Sequence, residues 1–439
     1  MTDIRRIAYE ALALTEDGKN RNNITKDLLA KYSYLDRQDR KFLKRLIEGT
    51  IERRITIDHV LDLYSTVPVK KMKKQVRTLL RMGTYQLLFM DGVTDHAAVN
   101  ETVALSKKTG VRALSGFINA VLRSISQNKD NIKYPDRTSD PTGYMSVYYS
   151  CPEWIVDKLI KQQGEDNAQA LLELSVSARA ITGRVNLSKA TTGSVLSLCD
   201  GTASDICDCA IVLNDPDNIA DIPAIDRGLM CIQDISSMLV CIAADIKKTD
   251  TVLDLCASPG GKTMHAADLA TDGTVISVDV SEAKVSKIEE NAKRCCFTNV
   301  KVRVGDSTVY DPALEKIADV VIADVPCSGL GVMGRKNDIK YNVSEGSIAE
   351  LVKIQQSILA NAARYVKDGG TLMFSTCTCT AEENTENFKY LTDTLGLRGV
   401  DFYDRLPEKL RDESAHEGYI QLYGHGGLTD GFFIGKLTK

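Results

Sequence analysis

Apolar positions in the first third of the chain recur at helical spacing. Phe42, Leu43, Leu46, Ile47 and Ile51 form one stripe, and Val76, Leu79, Leu80, Met82, Tyr85, Leu87 and Leu88 form a second. Val99, Val103, Ala104 and Leu105, then Phe117, Ile118, Val121, Leu122 and Ile125, continue the series. Gly110 sits between them where a helix would end. The opening MTDIRRIAYEALALTEDGKN reads as a charged amphipathic helix and not as a signal peptide. No strand pattern interrupts, so residues 1–135 are expected to form an all-helical bundle.

A linker is expected over Lys129–Thr142, marked by Pro135 and Pro141. Beyond it Pro152 opens a helix that carries Ile155, Leu159 and Ile160. A second helix is expected near 166–174 and a strand over 182–187, so residues 145–235 read as a small α/β module. From 236 to 439 strands and helices alternate, with strands at 251–255, 274–279, 300–304, 320–324 and 371–375. That succession predicts a doubly wound, Rossmann-like parallel sheet. Val320, Val321, Ile322 and Ala323 are apolar without alternation, as in a strand covered on both faces.

Composition narrows the picture. The chain has 439 residues, 43% hydrophobic and 26% charged, which is ordinary for globular proteins. No apolar run approaches the ~18 residues of a bilayer span, and no membrane partner is expected. The 12 cysteines lack the spacing of a disulfide framework, so a reducing cytoplasm is the expected compartment. Net charge is −4, but its distribution is uneven. Residues 1–135 carry 25 Lys and Arg against 15 Asp and Glu, whereas the remainder carries 30 against 44. A basic helical module on an acidic body suits a polyanionic partner. Part of the excess, in Lys70, Lys71, Lys73, Lys74 and Arg77, equally suits a solvated helix face.

The chemistry concentrates at strand ends. Cys256, Ala257, Ser258, Pro259, Gly260, Gly261 and Lys262 follow the first strand of the C-terminal region and lead into a helix, a cradle for an anionic group. Its spacing is that of neither GxGxxG nor a P-loop. Asp279 ends the second strand, Asp306 follows the third and Asp324 ends the fourth. Three helix caps would explain one acid each. An acid at the end of each of three successive strands, behind a Gly-rich turn, better suits S-adenosylmethionine, which bears a sulfonium, an amine and a ribose. The fourth strand then delivers Cys327, and the fifth delivers Thr376-Cys377-Thr378-Cys379. Two thiols facing one sheet crevice suit chemistry on an electron-poor ring. The CxC pairs at Cys377/Cys379 and Cys207/Cys209 lack a His or CxxC partner, so no metal is expected. Arg335, Lys336 and Lys340, just after the Pro-Cys loop, are candidates for phosphate contact; a solvated loop is the alternative.

Several motifs carry a resemblance. DHAAVNETVALSKKTG and GFINAVLRSI resemble the end of the NusB-like RNA-binding domain, with Asn100, Glu101, Asn119 and Arg123 the recognisable positions. Asn100 and Asn119 are expected to serve helix–helix hydrogen bonds in preference to RNA. DLCASPGGKT, ISVDVS, VGDS, DVPCSGLG, STCTCTAEEN and the terminal DGFFIGKL together resemble the RNA cytosine-5 methyltransferases of the RsmB/NOP family. With the NusB-like front, the resemblance covers essentially the whole chain. Departures are Ser258 for alanine, Ala381 for proline and the extra Cys379.

The resemblance implies a class I S-adenosylmethionine-dependent fold with the cofactor held by Cys256–Lys262, Asp279, Asp306 and Asp324. It implies Cys377 as nucleophile, by its register to Glu382-Glu383-Asn384, with Cys327 as the second thiol. Asp324 would hold the ring edge. The implied substrate is 16S ribosomal RNA, its target base in a hairpin loop or flipped out, and the implied state is a monomer. Other readings are the same chemistry on tRNA or another RNA, or a non-catalytic RNA-binding assembly factor. The intact pair Cys327 and Cys377 argues against the last.

Overall fold

The computed structural model describes residues 3–15, 31–32, 34–177, 179–214, 219–336 and 338–439. Part of the opening helix expected over 1–20 lies outside them. The chain forms two compact units, Met1–Val176 with Met333–Asn342, and Ser177–Val332 with Val343–Lys439.

The first unit is helical. Its bundle comprises α1 (Ile4–Thr15), α2 (Arg37–Glu52), α3 (Arg54–Tyr64), α4 (Lys74–Phe89), α5 (Asp95–Ser106) and α6 (Ser115–Asn128). Side-chain caps start α2 and α5: Asp36 accepts from Asp39 N, and Thr94 accepts from Ala97 N. The periodic stripes face inward, and Leu43, Leu46, Ile47, Leu79, Leu80, Tyr85, Ile118 and Leu122 are fully buried in one cluster. Among the described residues Asn119 and Asn100 do not bridge helices as expected. Asn119 accepts from Arg123 Nε at 3.2 Å and Asn100 bonds His96 at 2.8 Å, each within its own helix.

Three further helices, α7 (Pro141–Tyr148), α8 (Glu153–Gln163) and α9 (Glu165–Leu174), also belong to this unit. Helix thus begins at Pro141, inside the expected linker, because Asp140 caps Gly143 N and Pro141 fits the first turn. The division falls at 176/177, so these helices group with the bundle and not with the strands that follow. The segment 333–342 returns to this unit late in the chain. There Tyr341 donates to Glu52 O at 3.2 Å, and the Arg54 guanidinium stacks over its ring at 3.8 Å.

Lys340 corrects an expectation. It is 1% exposed, its Nζ has no hydrogen-bond partner among the described residues, and it is not available to phosphates. Burial pushes its pKa down to about 8, against the favourable charge of Glu52. Between pH 8 and about 10.4 the folded state has shed a proton that the unfolded chain keeps, so stability rises with pH there. Below pH 8 the burial cost is fully present. Lys340→Met is therefore expected to stabilise the protein at pH 7 by about 1–3 kcal/mol and to remove that alkaline rise, as measured by urea unfolding.

The second unit holds two sheets. The smaller has strands β1 (Ile181–Val185), β2 (Gly201–Ala203), β3 (Ala210–Leu213) and β4 (Met230–Ile232), in the order β2-β3-β1-β4. The larger uses β5 (Thr251–Asp254), β6 (Thr274–Asp279), β7 (Val300–Val304), β8 (Ala318–Asp324), β9 (Val366–Thr376), β10 (Arg398–Gly399), β11 (Tyr419–Tyr423) and β12 (Gly431–Thr438). Its order is β10-β12-β9-β8-β5-β6-β7, with β11 paired to β12. Strands β5 to β9 are parallel, and β12 runs antiparallel to β9.

Both faces of this sheet are covered. Val320 and Ile322 pack into one core cluster, whereas Val321 and Ala323 pack into the other. That is why the run is apolar without alternation. The chain moves from β5 outward through β6 to β7, then returns to β8 on the other side of β5. The crevice above β5 and β8 is the topological switch point, where such sheets bind ligands.

Candidate active site

Strand β5 ends at Asp254, and helix α10 (Gly261–Leu269) starts seven residues later. Gly260 makes the turn with φ of +105°, a conformation closed to most side chains. A cavity of about 210 Å³ opens here, lined by Asp254, Cys256, Ser258, Gly261, Lys262 and Asp324 among others. Asp254 accepts from Thr263 Oγ1 through one oxygen, while its other oxygen is buried without a hydrogen-bond partner. Burial pushes its pKa up to about 7.

The acids divide the work. Lys262 Nζ donates to Asp324 Oδ2 at 2.6 Å, and Ser375 Oγ donates to the other oxygen at 2.7 Å. Burial opposes the charge on Lys262, but Asp324 overcomes it and holds the ammonium above its usual pKa. Asp279, 4% exposed, accepts from Ser258 N at 2.9 Å and Val280 N at 2.7 Å, and pairs with Lys284 at 3.0 Å. It thereby fixes the Gly-rich turn from the neighbouring strand. Asp306 accepts from Thr308 N and Oγ1, and these bonds hold its carboxyl below the usual range.

A second cavity, of about 380 Å³, is lined by Leu255, Val278, Asp306, Ser307, Tyr310 and Tyr365 among others. Leu255 lines this cavity, and its chain neighbour Cys256 lines the first. One is mainly apolar-walled and sized for a small ligand ring. The other offers a cation, Lys262, and a partnerless buried carboxylate oxygen, Asp254. That set fits an amino acid's carboxylate and ammonium joined to a nucleoside.

The thiols converge beside this crevice. Asp324 on β8 is opposite Ser375 on β9, so the chain beyond each strand end is brought into register. Cys327 Sγ and Cys377 Sγ lie 3.3 Å apart, both half-buried. Gly331 N donates to Cys377 O at 3.0 Å, and a Cβ on Gly331 would lie 1.9 Å from Gly431 O, so only glycine allows this approach. The hydrogen bond with the Cys377 sulfur, together with burial and the nearby Glu383 charge, pushes the Cys327 thiol well up. That direction suits Cys327 as the donor of this hydrogen bond, which either sulfur can give. Cys379 is fully buried, its thiol also pushed well up by burial, and its sulfur accepts from Gln421 Nε2 at 3.8 Å.

The structure brings together Cys256–Lys262, Asp279, Asp306, Asp324, Cys327 and Cys377 in one unit. Arg335 and Lys336 are exposed on the segment assigned to the helical unit, and Lys340 is buried there. Sequence reasoning missed the Lys262–Asp324 ion pair and the partnerless oxygen of Asp254. Among the described residues no group of three or more His, Cys, Asp or Glu is disposed to hold a metal, and no helix is long and apolar enough to cross a membrane.

A doubly wound sheet with a reversed last strand, a Gly-rich first turn and acids after successive strands is the architecture of an S-adenosylmethionine-dependent methyltransferase. Comparison with known proteins agrees and is more specific. Residues 241–438 match the family model described as 16S rRNA methyltransferase RsmB/F, and residues 2–127 match the NusB family. The chain is 34% identical over 447 residues to the probable ribosomal RNA small subunit methyltransferase B of Bacillus subtilis, covering 100% of this chain and 99% of that one. It is 29% identical to ribosomal RNA small subunit methyltransferase B of Escherichia coli, with 100% and 99% covered. A solved structure titled PH0851 shares the fold over 100% of this chain and 99% of its own, with a TM-score of 0.78 at 23% identity. The chain belongs to the 16S rRNA methyltransferase RsmB/F family, preceded by a NusB-family domain. Its methyl donor is S-adenosylmethionine, and the reaction that the family is named for is the methylation of 16S rRNA.

Proposed function

We propose that this enzyme methylates C5 of a specific cytosine in 16S ribosomal RNA through a covalent bond between Cys377 and C6. The observation that carries this reading is the pair of thiols, 3.3 Å apart at adjacent strand ends beside the cofactor crevice. S-adenosylmethionine supplies an electrophilic methyl group. Cytosine C5 is a poor nucleophile, and a thiolate added at C6 turns the ring into an enamine that is nucleophilic at C5. Cys377 acts as that thiolate, favoured by the hydrogen bond from Cys327. After transfer, Cys327 gives up its own proton to solvent, takes the C5 proton as the thiolate, and Cys377 leaves as the thiolate. The base reaches these groups only out of its stack, which favours a loop or flipped nucleotide.

Asp324 is proposed to orient the ring edge. Both of its oxygens already hold a partner, so it acts as a fixed acceptor with Lys262 compensating its charge. Cys256–Lys262, Asp279 and Asp306 are proposed to hold the cofactor. Asp279→Ala is expected to weaken S-adenosylmethionine binding by about 1.5–3 kcal/mol, roughly ten- to hundredfold, by calorimetry. Unchanged affinity would remove Asp279 from the site. Bisulfite sequencing of 16S rRNA incubated with enzyme and cofactor tests the reaction itself. One protected cytosine is the expected result; methylation at another atom, found by nucleoside mass spectrometry, would refute C5.

A further inference from the structure

Glu383 is fully buried, yet the partners it holds are all neutral. It accepts from Ser328 N at 2.8 Å, Ser328 Oγ at 2.5 Å, Thr380 Oγ1 at 2.8 Å and Gln355 Nε2 at 3.0 Å. Ser328 follows Cys327 and Thr378 follows Cys377, and the one Thr378 hydroxyl proton is shared between Ser328 Oγ at 2.7 Å and Glu383 at 3.3 Å. An ionised carboxylate only accepts, and burying one is costly unless donors fill its lone pairs. Filling them fixes every donor around it.

The grip reaches the far side of each thiol. Gln355, from the long helix Glu345–Tyr365, also donates to Pro326 O at 2.9 Å and is held by Asn387 Nδ2 at 2.7 Å. Asn384, next to Glu383, accepts from Thr376 Oγ1 at 2.5 Å and donates to Thr378 O at 3.0 Å. Cys327 is thus held at Pro326 and Ser328, and Cys377 at Thr376 and Thr378.

We propose that Glu383 is a positioning residue that clamps the Cys327 loop to the Cys377 loop and so sets the two sulfurs at their working distance. This rests on the roles given to the two cysteines above. Glutamine at this position would turn one acceptor into a donor facing Ser328 N–H, a backbone group that cannot rotate away. It would also remove the negative charge that helps keep the proton on Cys327. Misplacing reacting groups by about 1 Å costs on the order of a hundredfold.

The test compares Glu383→Gln and Glu383→Asp with the wild-type chain. Glu383→Gln is expected to lower kcat about 100-fold, with cofactor affinity and RNA KM within about threefold. The rate of Cys327 alkylation by iodoacetamide, followed by peptide mass spectrometry, should rise at lower pH in Glu383→Gln. In Glu383→Asp, which keeps the charge, that profile should stay near the wild-type one. If Glu383→Gln does not fold, Ser328→Ala replaces it, with kcat expected to fall about tenfold at unchanged cofactor affinity. A kcat within threefold of wild type would overturn the proposal. So would a loss of kcat with an unmoved alkylation profile, which would assign Glu383 to stability alone. Alkylation needs no turnover, so it remains readable even if the cysteine roles prove reversed.

Discussion

Cys377→Ala is expected to abolish methyl transfer, with kcat lowered by at least about 10⁴-fold and cofactor affinity retained. The cytosine ring has no nucleophilic C5 until a thiolate adds to C6, and no neighbouring sulfur can take over. Cys327 has its thiol pushed up beside the Cys377 sulfur and is assigned the later proton-transfer step. Cys379 is fully buried and carries a thiol pushed well up, so it offers neither access nor thiolate. Cys377→Ser should be as inactive, because a serine hydroxyl ionises far less readily than a thiol. Neither variant should form a covalent RNA adduct. Single-turnover assays with labelled cofactor check the rate, and calorimetry checks that the cofactor crevice is intact.

Cys327→Ala is expected to arrest the reaction one step later. Cys377 remains to add to C6, and methyl transfer needs only the enamine so formed. What is lost is the group 3.3 Å from the Cys377 sulfur that is proposed to receive the C5 proton. Without it the methylated base stays joined to Cys377. Protein should then accumulate as a stable RNA adduct while multiple turnover falls by at least about 10²-fold. Cys379→Ala, by contrast, should keep most activity, its cost being that of a buried methyl-sized change.

Much of this site was legible because the chemistry sits at the ends of buried parallel strands. Val320–Ala323 is apolar on both faces, and whatever follows such a strand must emerge at the sheet edge. Asp324, Cys327 and Cys377 are therefore placed together by the sequence without knowledge of the register. The Gly-rich turn was equally readable, since Gly260 needs a positive φ. What the sequence hid depends on long-range pairing. Lys262 and Asp324 are 62 positions apart, and nothing local in either predicts that they meet. Glu383 was visible only as a landmark for counting to Cys377, because its donors come from residues 328, 355, 378 and 380. Lys340 looked like a surface cation in a polar loop, yet the packing of 333–342 into the helical unit buries it. Strands β2, β3 and β4, of three or four residues, are too short for an alternating pattern to register.

The most direct test of the two-thiol account is a denaturing gel of protein mixed with methyl-labelled cofactor and a 16S rRNA fragment containing the target cytosine. The account predicts a slow-migrating, labelled protein–RNA band in Cys327→Ala and no such band in Cys377→Ala or Cys377→Ser. A stalled band in Cys377→Ser but not in Cys327→Ala would contradict it and reverse the two roles.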